Sequence, residues 1–541
     1  MAFTTPSRLI AQADLLPLDH PAISVLQRIY QYGGIQSLPI EHLPISRRAA
    51  LEYLQEAGAD STLSKRMREQ AEWYIRELRA DAGITKRSVV IPVSNTQRTV
   101  FDKPQFSEPF TGIGYYDTGT GSTIFLDPVL EAEFRYDGER SSSATILQGG
   151  LRLRGMLFNH VGFSGKATNG TIVGNDTVLR VDPRYGRSLK FGLLGAQRDI
   201  DFGSAHFRAD FKGVALEIGR EPLQLGVSGR QSLLLGAELP SNTDYIRLQA
   251  NVGKVAFSHI HASLLDDTLG NAIGAGAQIP SKYIATHLLS VGPFGGVRLS
   301  LGEAIIYSRR PFEIGYLNPL NFIKSQEHYL RDRDNSLMYA TLSATLPYGL
   351  FLEGEFLLDD LIFSRIGEGF WGNKTAWRLG GKVVTDIVDL GVSYTRLEPY
   401  VYSHVSGINA YIHDGAILAA SGLEPNSFLF EGELEFWPIP NAQATLSLGY
   451  GEHGANVVRD GQIVRNVGGD IRRTFDSFSA EIVEFLDGDL ETSTTIDLRV
   501  DYEFLRNMYV RLRGSYREFD RENVGSEQET QVWVGLGIGP Q

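Results

Sequence analysis

The sequence predicts a membrane all-β fold, a large antiparallel transmembrane β-barrel of roughly 16 to 18 strands, with a small α-helical bundle at its N-terminus. Three observations predict it. Near the end of the chain Thr495, Asp497, Arg499 and Asp501 interleave with Ile496, Leu498, Val500 and Tyr502. Just beyond, Arg511, Arg513, Ser515 and Arg517 interleave with Val510, Leu512, Gly514 and Tyr516. Strand side chains alternate between faces, so each segment has one apolar and one charged face. Secondly, such segments recur over hundreds of residues with no helices to cover a sheet. That suits apolar faces turned to lipid and charges turned into a closed barrel. Thirdly, tight turns such as Pro347-Tyr348-Gly349 and Leu505-Arg506-Asn507 alternate with long, Gly-rich connections at 402–426 and 451–473, the habit of such barrels.

Composition agrees. The 541 residues include 28 Phe, 23 Tyr and 58 Gly, residue types that supply girdles, strands and turns. Mean hydropathy is -0.13, and no run approaches the roughly 20 apolar residues of a spanning helix. Alternation dilutes hydrophobicity in a barrel, so a membrane location stands, with a soluble all-β protein as the alternative. The absence of cysteine excludes disulfides, thiolate metal sites and cysteine nucleophiles. A net charge of -13 argues against nucleic acid and against a polybasic membrane anchor. The opening Met1-Ala2-Phe3-Thr4-Thr5-Pro6 has neither a basic n-region nor an apolar h-region. An exported barrel needs a signal, so the chain is read as mature, with its signal removed. A Gram-negative-type outer membrane is the expected location, and its lipid the first expected partner.

Residues 1–86 read as a periplasmic three-helix bundle. Asp19 is placed as the first N-cap, with Pro21 in the first turn and Leu18 able to staple against Ile23. Ile23, Leu26, Ile29 and Tyr30 follow at helical spacing, and Gly33-Gly34 stops the run. The second helix starts at a Ser46 cap and passes through Ala50, Leu51 and Leu54. The third carries Leu63, Met67, Ala71, Tyr74 and Leu78 on one stripe. This two-part layout predicts a barrel, residues 87–541, that folds without residues 1–85.

In the barrel, parity turns a ladder of charge inward: Arg152 and Arg154 on one strand, Glu353 and Glu355 on a second, Glu431, Glu433 and Glu435 on a third, Arg511 and Arg513 on a fourth. Rows of Glu facing rows of Arg are expected to pair across the interior. A salt-bridged plug and a charge-lined permeation path are both compatible with this lining.

The densest unusual stretch runs from Glu303 to Leu361. It contains Ile306-Tyr307-Ser308-Arg309-Arg310-Pro311-Phe312-Glu313, then Gly315-Tyr316-Leu317-Asn318-Pro319-Leu320-Asn321-Phe322, then Asp334-Asn335-Ser336-Leu337 and Phe356-Leu357-Leu358-Asp359-Asp360. Gly315 and Asn318-Pro319 force turns, because proline fixes φ and restricts the residue before it. Asn318, Asn321, Asp334 and Asn335 can cap local backbone in an irregular loop. One reading folds this loop inward as a latch on the lumen. The other makes it a sugar site, in which Arg309, Arg310, Glu313, Asn318 and Asn321 supply polar groups beside the rings of Tyr316 and Phe322.

This order of elements, with the N-terminal Leu-Asp-His-Pro helix and its Gly-Gly stop, resembles the Wzi-type capsule assembly family, especially its Bacteroidetes-like branch. The resemblance covers most of the chain in layout and about 60 residues in recognisable wording. It implies a non-enzymatic outer-membrane barrel that helps hold capsular or other exopolysaccharide at the cell surface. Peptidoglycan or a polysaccharide export protein would be candidate partners of residues 1–86. Two alternatives stay open: a porin for sugars or small solutes with a wall-tethering helical domain, and a structural subunit of a motility or adhesion machine.

No catalytic set emerges. His259 and His261 share a strand face as two metal ligands would, but no carboxylate at a telling spacing completes a site. Asp359-Asp360 point to opposite faces of a strand and suit a turn better than calcium. No nucleophile, base and orienting group assemble. No metal or cofactor is expected.

Overall fold

A computed structural model of the chain describes residues 12–82, 88–90, 113–117, 119–175, 178, 199–211, 213–236, 242–266, 280–522 and 524–539. Eighteen long strands form a closed antiparallel barrel, the upper end of the expected range. Numbered around the wall they are β1 Ser122–Asp137, β2 Ser142–Leu157, β3 Val161–Gly174, β4 Asp199–Phe211, β5 Val214–Glu221 and β6 Thr243–Val252. Next come β7 Val255–Leu264, β8 Lys282–Phe294, β9 Val297–Ser308, β10 Asn335–Leu346, β11 Leu350–Asp360 and β12 Lys374–Val383. The wall finishes with β13 Val388–Leu397, β14 Ser427–Ile439, β15 Ala442–Ala455, β16 Asp489–Leu505, β17 Met508–Arg521 and β18 Gly525–Ile538. The last strand closes on the first, from Ile538 opposite Leu130 to Gln531 opposite Asp137. Below that seam the free edge of β1 pairs with Ile113–Asp117, which in turn pairs with Ser88–Val90.

Connections at one end span two to four residues, whereas those at the other reach 33 at 456–488. The expected loop at 451–473 therefore begins later, because β15 stays in its ladder to Ala455. Outward positions such as Leu147, Leu151, Phe207, Ile218, Leu301, Phe356, Phe430, Leu498 and Val534 are exposed. A continuous apolar belt of this kind has lipid as its solvent. No helix among the described residues is long and apolar enough to cross a membrane.

Three helices precede the wall: α1 Pro21–Tyr32, α2 Arg47–Ala59 and α3 Lys65–Ala82. His20, not Asp19, caps α1, its Nδ1 accepting from the Ala22 amide at 3.1 Å. Gly33 ends the helix in the left-handed region at φ 105°. Ser46 caps α2 through the Ala49 amide at 3.2 Å. The helices share their apolar core with Phe351, Val384 and Trp437 of the short-turn rim, so they seat against the barrel mouth. Polar ties fasten them there. Arg28 donates to Asp389 at 2.6 Å, Trp73 Nε1 to Glu503 at 2.7 Å, and Arg506 of the β16–β17 turn reaches both Glu77 and Glu503.

Candidate functional site

Segments enter the lumen from both ends and fill its β6 to β13 side. From the short-turn end, residues 35–46 rise between α1 and α2 into the barrel, where His42 lies opposite Leu225 and Leu43 opposite Gln224. His42 meets Ser258 Oγ at 3.0 Å through Nδ1 and Ser290 Oγ at 2.8 Å through Nε2. Burial, with Arg298 and Arg247 nearby, pushes its pKa down to about 3, so the ring is held neutral. Glu41 pairs with Arg298 at 3.1 Å, and Arg247 and Gln249 donate to the Pro44 and His42 carbonyls. Burial alone would raise the Glu77 carboxyl, but His20, Arg506 and Arg47 hold it well below its ordinary value.

From the long-loop end two connections fold inward. Residues 222–236 bring Leu223, Leu225, Leu233, Leu234 and Leu235 into the lumen, and 398–426 bring Tyr402, Tyr411, Ile412 and Leu418. They pack on inward residues of β6 to β13, among them Tyr245, Ile260, Ile306, Tyr339 and Leu357. The Tyr402 and Tyr411 rings stack at 5.2 Å, and their hydroxyls donate to the Leu233 and Leu234 carbonyls at 2.8 and 2.5 Å. Glu355 accepts from the Ser228 and Leu233 amides at 3.0 and 2.7 Å. Irregular backbone inside a barrel needs such partners.

The nine ladder residues all stand on inward positions, but their partners are close neighbours. Arg154 pairs with Asp127 at 3.1 Å, Arg152 donates to Ser164, and Glu353 pairs with Arg378 on the adjacent strand. Lys382 sits between Glu433 at 3.4 Å and Glu435 at 2.7 Å, Glu431 accepts from Gln231, and Asp501 takes Arg511 and Arg513 at 3.5 and 2.9 Å. The expected pairing across the interior is thus corrected. Adjacent strands lie about 4.8 Å apart, whereas the far wall of an eighteen-stranded barrel is out of side-chain reach.

The 309–334 connection also departs from its expected inward fold. On β9, Leu299 and Leu301 are exposed and share parity with Glu303, Ile305 and Tyr307, while Ile306 faces the luminal core. Ile305 and Tyr307, with Ala285 of β8, cluster with Tyr316 and Ile323 of the connection. The segment therefore lies on the outside of the wall. Its two short helices are α4 Ile314–Leu317 and α5 Ile323–Tyr329. Arg310 grips Asp334 with two bonds of 2.7 and 2.5 Å, approaches Glu313 at 3.3 Å, and stands 4.7 Å over the Tyr307 ring. The Tyr316 hydroxyl donates to Asp334 at 2.8 Å, and Asn321 donates to the Gly315 carbonyl and Gln326. Asn318 caps the Leu320 amide at 3.1 Å. Arg309, Asn318 and Phe322 are exposed, whereas Tyr316 is buried. At the end of α5, Glu327, His328 and Asp332 bring ligand-type atoms within 4.8 Å of one another, but Glu327 is already engaged by Lys324 and Ser336.

A cleft that sequence reasoning missed opens among the long loops. It holds about 430 Å³ and is lined by His404, Asp470, Arg472, Arg473, Thr474 and Asp476 with Val405, Gly407 and Ile463. Arg473 reaches Asp476 at 2.5 Å and lies 5.6 Å over the Phe478 ring; the Trp371 and Phe475 rings stack at 4.3 Å nearby. Burial pushes the His404 ring below its ordinary pKa and raises the Glu424 carboxyl. Its residues come from two irregular loops about 60 positions apart, so no periodicity marks them.

These features define a large outer-membrane β-barrel. No protein-family model matches the sequence, nor does any curated protein. Among solved structures the chain is similar to Wzi, an outer-membrane protein involved in group 1 capsule assembly in Escherichia coli and described as a carbohydrate-binding β-barrel. The TM-score is 0.59 at 13% identity, covering 98% of this chain and 100% of that one. It is also similar to the outer membrane protein OprD from Pseudomonas aeruginosa, with a TM-score of 0.46 at 12% identity over 77% of this chain and 94% of that one. The chain has the Wzi-type fold.

Proposed function

We propose that this protein is a non-enzymatic platform that holds capsular or related exopolysaccharide at the cell surface, with residues 1–86 facing the periplasm and the long connections facing outward. The observation that carries the reading is the lumen filled on its β6 to β13 side from both ends, beneath an open polar cleft. A barrel with packed loops entering its lumen from both ends is suited to holding a ligand above the membrane. The cleft combines ionic groups with nearby aromatic faces, the mixture that sugar hydroxyls and ring faces engage. Repeated weak contacts along one polymer add up through effective concentration. The carbohydrate binding described for Wzi supports the assignment. Of the sequence-selected set, Arg309 stands exposed at the upper end of β9 and remains a candidate polymer contact. Peptidoglycan or a polysaccharide export protein remains a candidate partner at the helical end.

One observation favours a second reading, a porin for sugars or small solutes. Inward residues of β14 to β18, such as Glu431, Asp497, Arg499 and Arg513, are only half-buried. The test compares cell-bound with released polysaccharide after gene deletion. Release at unchanged total synthesis is expected; unchanged retention would contradict attachment. Complementation with an Asp470→Asn, Arg473→Ala variant should restore the barrel but leave polymer released.

A further inference from the structure

On β7, β8 and β9 the strand-borne apolar belt stops early. Above Phe257, Leu289 and Leu301, which lie in register, the next outward positions are His259, His287 and Glu303. Polar groups of this kind facing lipid are costly, and here they are covered. Glu303 Oε2 accepts the Ile323 amide at 2.8 Å and lies 3.2 Å from His287, while Phe312 packs on the His261 ring at 4.1 Å. From Pro311 to Phe322 the covering segment exposes mainly apolar side chains, whereas its return arm exposes His328, Arg331, Asp332 and Arg333. Ile314, Leu320 and Tyr329 are 78%, 92% and 82% exposed, and Phe322 is more than half exposed. The segment thus carries the apolar belt across a polar stretch of wall. Beside Phe312 a groove of about 760 Å³ runs over the outer faces of β4 to β8. Its floor is Phe207, Ile218 and Ile246, and its upper margin carries the Arg220–Asp244 ion pair of 2.7 Å. The apolar end is continuous with the lipid-facing belt and the polar end lies toward the rim, as an amphiphile's two ends require.

We propose that residues 309–334 form a lipid-facing strap on the outer wall, and that the groove at its edge seats one acyl chain of an outer-leaflet lipid. Arg310, Tyr316 and Asp334 fasten the strap at its root. Its underside, formed by Phe312, Tyr316, Ile323 and the Ile323 amide, covers the His259, His287 and Glu303 stretch, and the apolar edge sits among acyl chains. The Arg220–Asp244 pair meets the head of the seated lipid.

The chain has no cysteine, so single-cysteine labelling of the full-length protein in nanodiscs tests the strap. A fluorophore at Leu320→Cys should show blue-shifted emission, be quenched by nitroxide-bearing acyl chains and be shielded from iodide. The same label at Tyr348→Cys, on a short turn and 97% exposed, should show the reverse. Iodide quenching at position 320 equal to that at 348 would overturn the strap. For the groove, native mass spectrometry counts lipids retained per chain. Ile246→Trp, filling the floor, should remove one lipid, and Gly203→Phe, entering from β4, should do the same if the first variant folds poorly. An unchanged count, or a dimer in place of the lipid, would overturn the lipid assignment.

Discussion

The two sides of this barrel are filled by different physics. From β6 to β13 the interior is a dry core, built where loops 222–236 and 398–426 pack leucines and tyrosines against inward aliphatic residues. From β14 to β18 the inward residues are charged and half-buried, and they pair along the wall. A core of this kind depends on volume and on satisfied backbone groups. A half-exposed ladder depends on screened Coulomb attraction, which contributes little per pair. The lesson is that closure resides on one side and polarity on the other, so the two can be perturbed separately.

The largest expected effect comes from replacing residues 402–420 with a short Gly-Ser linker. That strips Tyr402, Tyr411 and Leu418 from the core, and the variant should conduct in steps across a planar bilayer. Within the dry side, Leu234→Ala should cost about 2–5 kcal/mol, from lost transfer energy plus a cavity, read by denaturant unfolding in detergent. Tyr402→Phe leaves the buried Leu233 carbonyl without its donor and should cost about 1–3 kcal/mol. An Arg513→Gln change on the charged side should cost no more than about 1 kcal/mol. Equal losses on the two sides would break the comparison.

The His42 stopper adds a pH signature. Its folded pKa of about 3 lies below the ordinary value of about 6.5, so the unfolded chain takes up the proton first. The contribution is complete above about pH 6.5 and is lost as pH falls toward 3, amounting to about 2 kcal/mol by pH 5. A His42→Gln variant should unfold with a shallower dependence on pH between 7 and 5; an unchanged slope would contradict this account of the stopper.

Much of the wall was legible because strand parity is a local property. Alternation put Arg152, Glu353, Glu433 and Arg511 on inward positions, and the Ser46 and Gly33 cap signals stand where the helices begin and end. Asp19 yielded to His20 because either residue can cap and only the backbone decides which one does. The stopper was not legible. His42 meets Ser258 and Ser290 more than 200 positions away, and the inward loops have no period to read. The strap was misjudged for a subtler reason. Its sequence reads as an irregular loop that can fold inward, but Glu303 follows Leu299 and Leu301 on the same outward face. A charge interrupting a lipid-facing row signals that something must cover it. Arg28, Trp73 and His42 tie the helical N-terminus to the wall. Deleting residues 12–82 should therefore lower barrel stability, a loss checked by heat-modifiable gel mobility.

The central claim is that the barrel is a closed platform, and single-channel recording of the purified full-length protein in a planar bilayer tests it most directly. Closure from both ends predicts negligible conductance, with steps appearing only when 402–420 is replaced. Stepwise conductance by the unaltered protein would contradict the platform and make the half-exposed ladder of β14 to β18 a permeation path.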